Sequence, residues 1–136
     1  MKKQKICVIG DGLSGLTAAL VLSNLDINVD FITKNKQEKK INDPRITAIS
    51  PTNFKFLNKY LDKKDTKLFW PCKKINLFYE KINQLYNFIN FSEDQKNLLY
   101  IIKNNDLKKV LLKKIKRKKN IKIISNEVKK VDTKNS

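Results

Sequence analysis

Residues 6–16 read ICVIGDGLSGL, and this stretch decides the fold. Its glycines, Gly10, Gly12 and Gly15, are the only 3 among the 136 residues, and they have the spacing G-x-G-x-x-G. A short apolar run precedes them and a helix-forming stretch follows, which is the strand–turn–helix setting of a phosphate-binding turn. Gly10 permits the tight bend, Gly12 lets a pyrophosphate approach the backbone, and Gly15 allows the helix to pack closely. The stretch predicts a dinucleotide site at a helix N-terminus; a plain tight turn without a ligand is the alternative.

The flanking residues complete a βαβ unit of fewer than 30 residues. They predict a strand at Lys5–Ile9, a helix over residues 13–25 and a second, parallel strand over residues 27–32. The helix has one face of small and apolar side chains, namely Leu16, Ala19, Leu20 and Ser23. The continuous apolar character of the first strand is typical of a parallel strand covered on both faces. We therefore expect Cys7 to be a small buried side chain.

The middle of the chain predicts a loop, a second helix and a set of short strands. Residues 33–43 are polar and rich in lysine, which favours a loop, and Ser50 followed by Pro51 is typical of a helix start. The apolar stripe of that helix consists of Phe54, Leu57 and Leu61. From Lys74 onward, short alternating segments and the apolar run at residues 98–102 predict strands of a second, antiparallel sheet.

The last third predicts one helix and two strands. Asn104 or Asp106 is expected to cap the helix, whose apolar face consists of Leu107, Val110, Leu111 and Ile115. Its lysine-rich end favours a solvated face and suits a helix C-terminus. Residues 121–124 and 127–131 are expected to form the two final strands. The sequence thus predicts an α/β fold, with a Rossmann-like βαβ domain and the start of an antiparallel sheet.

Composition excludes several classes of function. The formal net charge is +17, but arginine occurs only at Arg45 and Arg117, so we do not expect a specific nucleic-acid binder, which would use arginine for bidentate contacts. Histidine is absent and only 2 cysteines are present, so we expect neither a metal site nor a histidine-dependent triad. No signal peptide or membrane-spanning run is apparent. These features predict a cytoplasmic location.

Two further motifs resemble those of one enzyme family. Residues 43–50 read DPRITAIS, similar to the D-x-R-x-x-A-(L/I)-S signature of the flavoprotein aromatic hydroxylases of ubiquinone biosynthesis, which are relatives of para-hydroxybenzoate hydroxylase. Residues 99–107 read LYIIKNNDL and resemble the family stretch G-Y-x-(V/I)-E-N-R-x-L. Together with the glycine turn, the three motifs resemble the N-terminal part of such an enzyme, in order and at family spacing.

The resemblance implies FAD as the cofactor, NAD(P)H and O₂ as co-substrates, and hydroxylation of a polyprenylated phenol, with peripheral contact at the inner membrane face. It implies that the cofactor-binding residues are Gly10, Gly12, Leu13, Ser14, Gly15, Thr33, Lys34, Arg45, Asn104 and Val128. It names no catalytic residue, because the cofactor carries the chemistry. The implied domains are residues 1–73 and 103–136 for FAD and residues 74–102 for a partial substrate domain.

The chain also departs from the family. Thr33 and Lys34 stand where relatives have an acidic residue for the adenosine ribose, about 20 residues past the glycines. Relatives are considerably longer and carry a second FAD motif of the G-D type. We therefore expect a fragment, a split gene product or a truncated reading frame, which is inactive unless a second chain completes it and has poor solubility alone. A non-catalytic dinucleotide-binding module or remnant is the alternative.

Overall fold

The computed structural model describes residues 3–34, 43–92 and 96–130. The elements in chain order are β1 (Lys5–Ile9), α1 (Leu13–Leu22), β2 (Asn28–Thr33), β3 (Ile46–Ile49), α2 (Pro51–Asn58), α3 (Lys63–Thr66), β4 (Trp70–Cys72), β5 (Lys74–Lys81), β6 (Gln84–Ser92), β7 (Leu99–Lys103), α4 (Asn104–Lys116) and β8 (Ile121–Ser125). This is the mixed α/β class that the sequence predicted.

The chain divides into two compact units. The first consists of Met1–Pro44 together with Asn104–Ser136, and the second consists of Arg45–Lys103. The boundary predicted after residue 73 differs from this division. The physical reason is that β3, α2 and β4 all contact β7, so residues 45–73 cluster with the later strands.

The first unit is built on a parallel sheet in the order β1-β2-β8. β1 pairs with β2 in the predicted parallel arrangement, with Ile9 opposite Ile32, and β8 pairs with the other edge of β2. The predicted strand β1 is confirmed residue for residue, and β2 begins one residue later than predicted. The carboxyl ends of all three strands therefore meet at one edge of the sheet, which is where open parallel sheets bind ligands.

Two helices form the core of this unit with the central strand. α1 and α4 pack against each other, and the predicted face of α1 is buried in full, including Ser23, whose hydroxyl donates to the Leu20 carbonyl. From the central strand Val29 and Phe31 are fully buried. From α4 the buried side chains are Leu107, Leu111 and Ile115. Burial of these apolar faces provides the main driving force for folding of the unit.

The prediction that Cys7 is buried is wrong, since this side chain is exposed. β1 is the edge strand of its sheet, and Cys7 lies on the face opposite Ile6 and Val8, which point to the same side as Val29 and Phe31. Among the described residues that opposite face is open, and Ile9 is likewise 53% exposed. Coverage of both faces is therefore not found for β1.

Asn120 joins two loops of the first unit. Its side-chain Nδ2 donates to the backbone carbonyls of Ser23 and Ile27, both at 2.9 Å. Asn120→Asp keeps the shape but replaces two donors by a carboxylate that faces carbonyl oxygens. At about 1 kcal/mol per hydrogen bond, we expect the free energy of unfolding to fall by about 2 kcal/mol, measured by urea denaturation. Asn76→Asp at an exposed position is the control, expected to change it by less than about 0.5 kcal/mol. Equal effects would contradict the bridging role.

The second unit contains an antiparallel sheet in the order β3-β7-β4. α2 begins as predicted, with the Ser50 hydroxyl accepting a hydrogen bond from the Asn53 N–H. Phe54 of this helix stacks on Tyr100 of β7, with ring centroids 3.7 Å apart. The strands β3 and β4 and the short helix α3 were not predicted. The predicted run at 98–102 is a strand, but it pairs with β3 and β4 and not with the hairpin that follows from Lys74.

The strands β5 and β6 form a separate two-stranded hairpin. The register places the pairs Ile75–Phe91, Leu77–Ile89 and Tyr79–Tyr86 on one face, and Tyr79 also contacts the ring of Phe88. We call these seven side chains the apolar hairpin face. The opposite face carries the pairs Asn76–Asn90, Phe78–Asn87 and Glu80–Leu85. Phe88 is 65% exposed and Tyr79 49%, so the apolar face is open to solvent over the described part of the chain.

Two predictions concern segments that lie only partly within the described residues. The last predicted strand, at residues 127–131, is wrong in its described part, because residues 126–130 form no strand. Val131 lies outside the described residues. The predicted loop over residues 33–43 likewise falls largely outside them; Thr33 is the last residue of β2, and Asp43 lies in no helix or strand.

Candidate dinucleotide-binding site

The three glycines lie at the junction between β1 and α1. β1 ends at Ile9 and α1 begins at Leu13, with Gly12 as the residue before the first helical turn. Gly10 has a φ of +105°, a conformation that side-chain-bearing residues rarely adopt, and its N–H donates to the Ile32 carbonyl at 2.9 Å. The turn is therefore anchored to the end of β2, and Gly10 is needed for its backbone geometry.

Gly12 and Gly15 differ in what surrounds them. A Cβ atom added to Gly12 would meet nothing within 4 Å in the described structure, and its φ of −69° is open to any residue. A Cβ atom added to Gly15 would overlap the carbonyl oxygen of Gly10. Gly15 is therefore required for close packing of the helix on the turn, whereas Gly12 leaves an open space above the backbone.

The start of α1 is suited to an anion. The described helix has no acidic residue in its first turn and no side-chain hydrogen bond at its cap, Gly12. The first intrahelical bond runs from the Leu16 N–H to the Gly12 carbonyl. The N–H groups of Leu13, Ser14 and Gly15 belong to the turn that has no intrahelical acceptor, and the helix dipole adds partial positive charge there. This arrangement fits the pyrophosphate of a dinucleotide, which would occupy the space above Gly12.

An ion pair lies beside the glycine turn. Lys108 Nζ is 3.2 Å from Asp11 Oδ2, and the two side chains are 18% and 27% exposed. Asp11 is part of the turn itself, and Lys108 comes from α4 of the same unit. The sequence analysis missed Lys108, since nothing in a helix with many lysines distinguishes this one before the helix is packed against α1.

The end of β2 carries a second charged pair. Thr33 is buried, and Lys34 places its Nζ 2.7 Å from Glu127 Oε1, which follows β8. The Asn126 N–H donates to the Thr33 carbonyl at 3.0 Å, so the end of β8 is fixed beside β2. A carboxylate is therefore held beside the end of β2 by this ion pair, that of Glu127, a residue that the sequence analysis did not single out.

Asn104 and Asp43 are brought together. Asn104 Nδ2 donates to Asp43 Oδ2 at 3.2 Å, and the Asp43 N–H donates to Asn105 Oδ1 at 3.3 Å. The beginning of the second motif thus contacts the asparagines of the third. α4 begins at Asn104, so Asn104 and Asp106 both lie inside its first turn and neither is the residue that precedes the helix, as was predicted of one of them.

Two predicted site residues have a different setting. Arg45 is exposed and belongs to the second unit, where it precedes β3. Val128 was expected on a strand near the adenine, but β8 ends at Ser125, so Val128 lies beyond it and is 36% exposed. The strand ends early because residues 126–130 make no ladder with a neighbouring strand among those described.

The described ranges contain no group of three or more metal-ligating side chains. Within the same ranges, no helix has the length and apolar character needed to cross a membrane.

Sequence comparison gives no relatives: no family model matches the chain, and no curated protein matches it. The fold, in contrast, is similar to that of several solved structures. P. aeruginosa PqsL, in complex with 2-aminobenzoylacetate, aligns over 90% of this chain and 33% of its own, with a TM-score of 0.71 and 14% identity. The p-nitrophenol 4-monooxygenase PnpA from Pseudomonas putida DLL-E4 aligns over 95% and 34%, with a TM-score of 0.69 and 16% identity.

CtdE, solved in complex with FAD, aligns over 91% of this chain and 30% of its own, with a TM-score of 0.62 and 16% identity. The chain therefore has the fold of one part of proteins that include a named monooxygenase and an FAD complex. It spans about a third of the length of these structures.

Proposed function

We propose that the chain is the FAD-binding portion of a flavin-dependent monooxygenase. The observation that carries the proposal is the open glycine turn at the β1–α1 junction, where an added Cβ at Gly12 meets no protein atom. The likeness of the fold to PnpA and to the FAD complex of CtdE supports the same conclusion. In this proposal the parallel sheet of the first unit is a Rossmann-like half.

The residues present fit this cofactor. Gly10, Gly12 and Gly15, with the N–H groups of Leu13 and Ser14, hold the pyrophosphate. The backbone and side chains at Thr33 and Lys34 face the adenosine. Arg45, Asn104 and Val128 complete the proposed site, as the family resemblance implies. Bound FAD supplies the redox and oxygen chemistry, with NAD(P)H and O₂ as co-substrates. The protein binds it, orients it and excludes water.

The substrate class of the proposal is a polyprenylated phenol of ubiquinone biosynthesis. The support is the resemblance of residues 43–50 and 99–107 to the signatures of that hydroxylase family. A lipid-like substrate accords with a cytoplasmic enzyme in peripheral contact with the inner membrane face. The assignment of residues 1–73 and 103–136 to an FAD domain, and of 74–102 to a partial substrate domain, is part of the same proposal.

We further propose that the complete enzyme needs polypeptide corresponding to the other two thirds of the similar structures, supplied by a second chain. The apolar hairpin face supports this proposal. A two-stranded hairpin is marginally stable by itself, and an exposed apolar patch of this kind marks a contact surface. The occupant we assign to it is that remaining part of the monooxygenase.

The alternative function is a non-catalytic dinucleotide-binding module or remnant. One observation favours it: Thr33 and Lys34 stand where an acidic residue is expected at the end of β2. In this alternative the glycine turn binds a dinucleotide but no hydroxylation follows.

Titration with nucleotides tests the proposal. We expect the purified chain to bind FAD at least about tenfold more tightly than FMN, because FMN lacks the pyrophosphate and adenosine that the glycine turn would hold. Quenching of flavin fluorescence and the visible absorption spectrum measure both affinities. Preference for NAD over FAD would favour the non-catalytic alternative, and binding of neither dinucleotide would refute the function proposed here.

A further inference from the structure

The second residue of the glycine turn is an aspartate, which is a poor neighbour for a pyrophosphate. Asp11 lies between Gly10 and Gly12 in the turn, and a Cβ atom added to Gly12 would meet no described atom within 4 Å. A carboxylate in the turn repels an incoming phosphate, and the repulsion is stronger near a protein surface than in bulk water. A turn that binds FAD must therefore offset this charge.

Lys108 is placed to offset it. Its Nζ lies 3.2 Å from Asp11 Oδ2, and its side chain is 18% exposed, although it stands on a helix whose neighbouring lysine, Lys109, is exposed. The other basic residues noted on α4 are Lys113, Lys114 and Lys116 in the last turn, where the helix dipole favours cations. Lys108 lies in the first half of the helix, where the dipole gives it no such advantage. Its position is explained by Asp11.

This inference rests on the proposed FAD site. We propose that Lys108 is a positioning residue of that site: it neutralises Asp11, and the glycine turn can therefore accept a dinucleotide pyrophosphate. Lys108 acts by pairing with Asp11 and by making the electrostatic potential at the glycine turn more positive. It requires no direct contact with the phosphates.

A double-mutant cycle tests the inference. We expect Lys108→Met to raise the dissociation constant for FAD about tenfold, because the cation 3.2 Å from the Asp11 carboxylate is then lost. Asp11→Asn alone should leave the constant within about twofold or lower it. The double variant should bind like Asp11→Asn, since the lysine has no charge left to offset. Lys108→Arg should retain wild-type affinity, and Lys109→Met is the matched control on the same helix.

Thermal unfolding of the FAD-free variants separates this role from a structural one. If the ion pair had only a structural role, both single variants would unfold at a lower temperature and would keep the wild-type affinity for FAD. That result would overturn the inference. Wild-type affinity for FAD in the Lys108→Met variant would also overturn the inference. The proposed function would still hold in that case, provided that the wild-type chain binds FAD. If the wild-type chain bound no FAD, the proposed function would fail and the inference with it.

Discussion

Gly12→Ala is expected to remove most FAD binding while leaving the fold intact. The added Cβ meets no protein atom within 4 Å, and the backbone at Gly12 has a φ of −69°, which alanine adopts readily. The methyl group would instead occupy the space proposed for the pyrophosphate. We expect the dissociation constant for FAD to rise by at least about 30-fold, with the free energy of unfolding changed by less than about 1 kcal/mol.

Gly15→Ala provides the matched comparison, because it adds the same methyl group three residues further on. Here the Cβ would overlap the Gly10 carbonyl oxygen, which is backbone and cannot move without distorting the turn. We expect a loss of stability of about 3 kcal/mol, from overpacking at a rigid contact. Urea denaturation and flavin fluorescence, measured on both variants, separate binding from folding. If Gly12→Ala bound FAD as well as the wild type, the glycine turn would not be the pyrophosphate site.

Paired substitutions on the hairpin are expected to affect assembly strongly and the free chain weakly. Leu77 and Ile89 face each other across the strands and are 43% and 36% exposed. The double variant Leu77→Thr/Ile89→Thr places β-branched residues, which favour strands, at both positions and removes apolar area. If each side chain contributes about 1.5 kcal/mol when covered, the dissociation constant for the completing polypeptide should rise roughly 100-fold. Unfolding of the chain alone should change little, because both side chains are already partly solvated.

The opposite hairpin face supplies the control, Asn76→Thr/Asn90→Thr, which is also a directly paired position. The measurement is co-purification and surface binding of the tagged chain with the polypeptide encoded by the adjoining reading frame. Binding of a hydrophobic dye and the aggregated fraction of the chain alone give a second readout, and both should fall in the Leu77/Ile89 variant only. A wild-type chain that is monodisperse and binds no dye would argue against an interface on this face.

The sequence predicted the βαβ unit well because the patterns that indicate its strands, turn and helix involve residues close together in the chain. Glycine is so scarce here that the spacing of Gly10, Gly12 and Gly15 located the strand–helix junction, and helical periodicity identified the buried face of α1. The Ser50 cap and the start of α2 were also confirmed, since an N-cap bond involves residues only three apart.

The errors arose where partners distant in the sequence decide the outcome. Cys7 is exposed because its face of the parallel sheet is open among the described residues, and a single apolar run does not record which faces become covered. The short strands β3 and β4 exist because β7 lies between them and pairs with both. The strand predicted at residues 127–131 fails in its described part because no neighbouring strand among the described residues pairs with residues 126–130, so no ladder extends to Val128.

The sequence by itself determined the α/β class, the position of the glycine turn and the helices whose apolar faces form the core, because spacing and periodicity record these directly. Only the tertiary structure decided which charged side chains lie close to the glycine turn and to the end of β2. It brings Lys108 to Asp11 across 97 positions of the chain and Glu127 to the end of β2. It also leaves both faces of the hairpin exposed in the described part of the chain, the apolar hairpin face among them. Such pairings depend on which elements become neighbours in space, and the local pattern that forms each element carries no record of its neighbours.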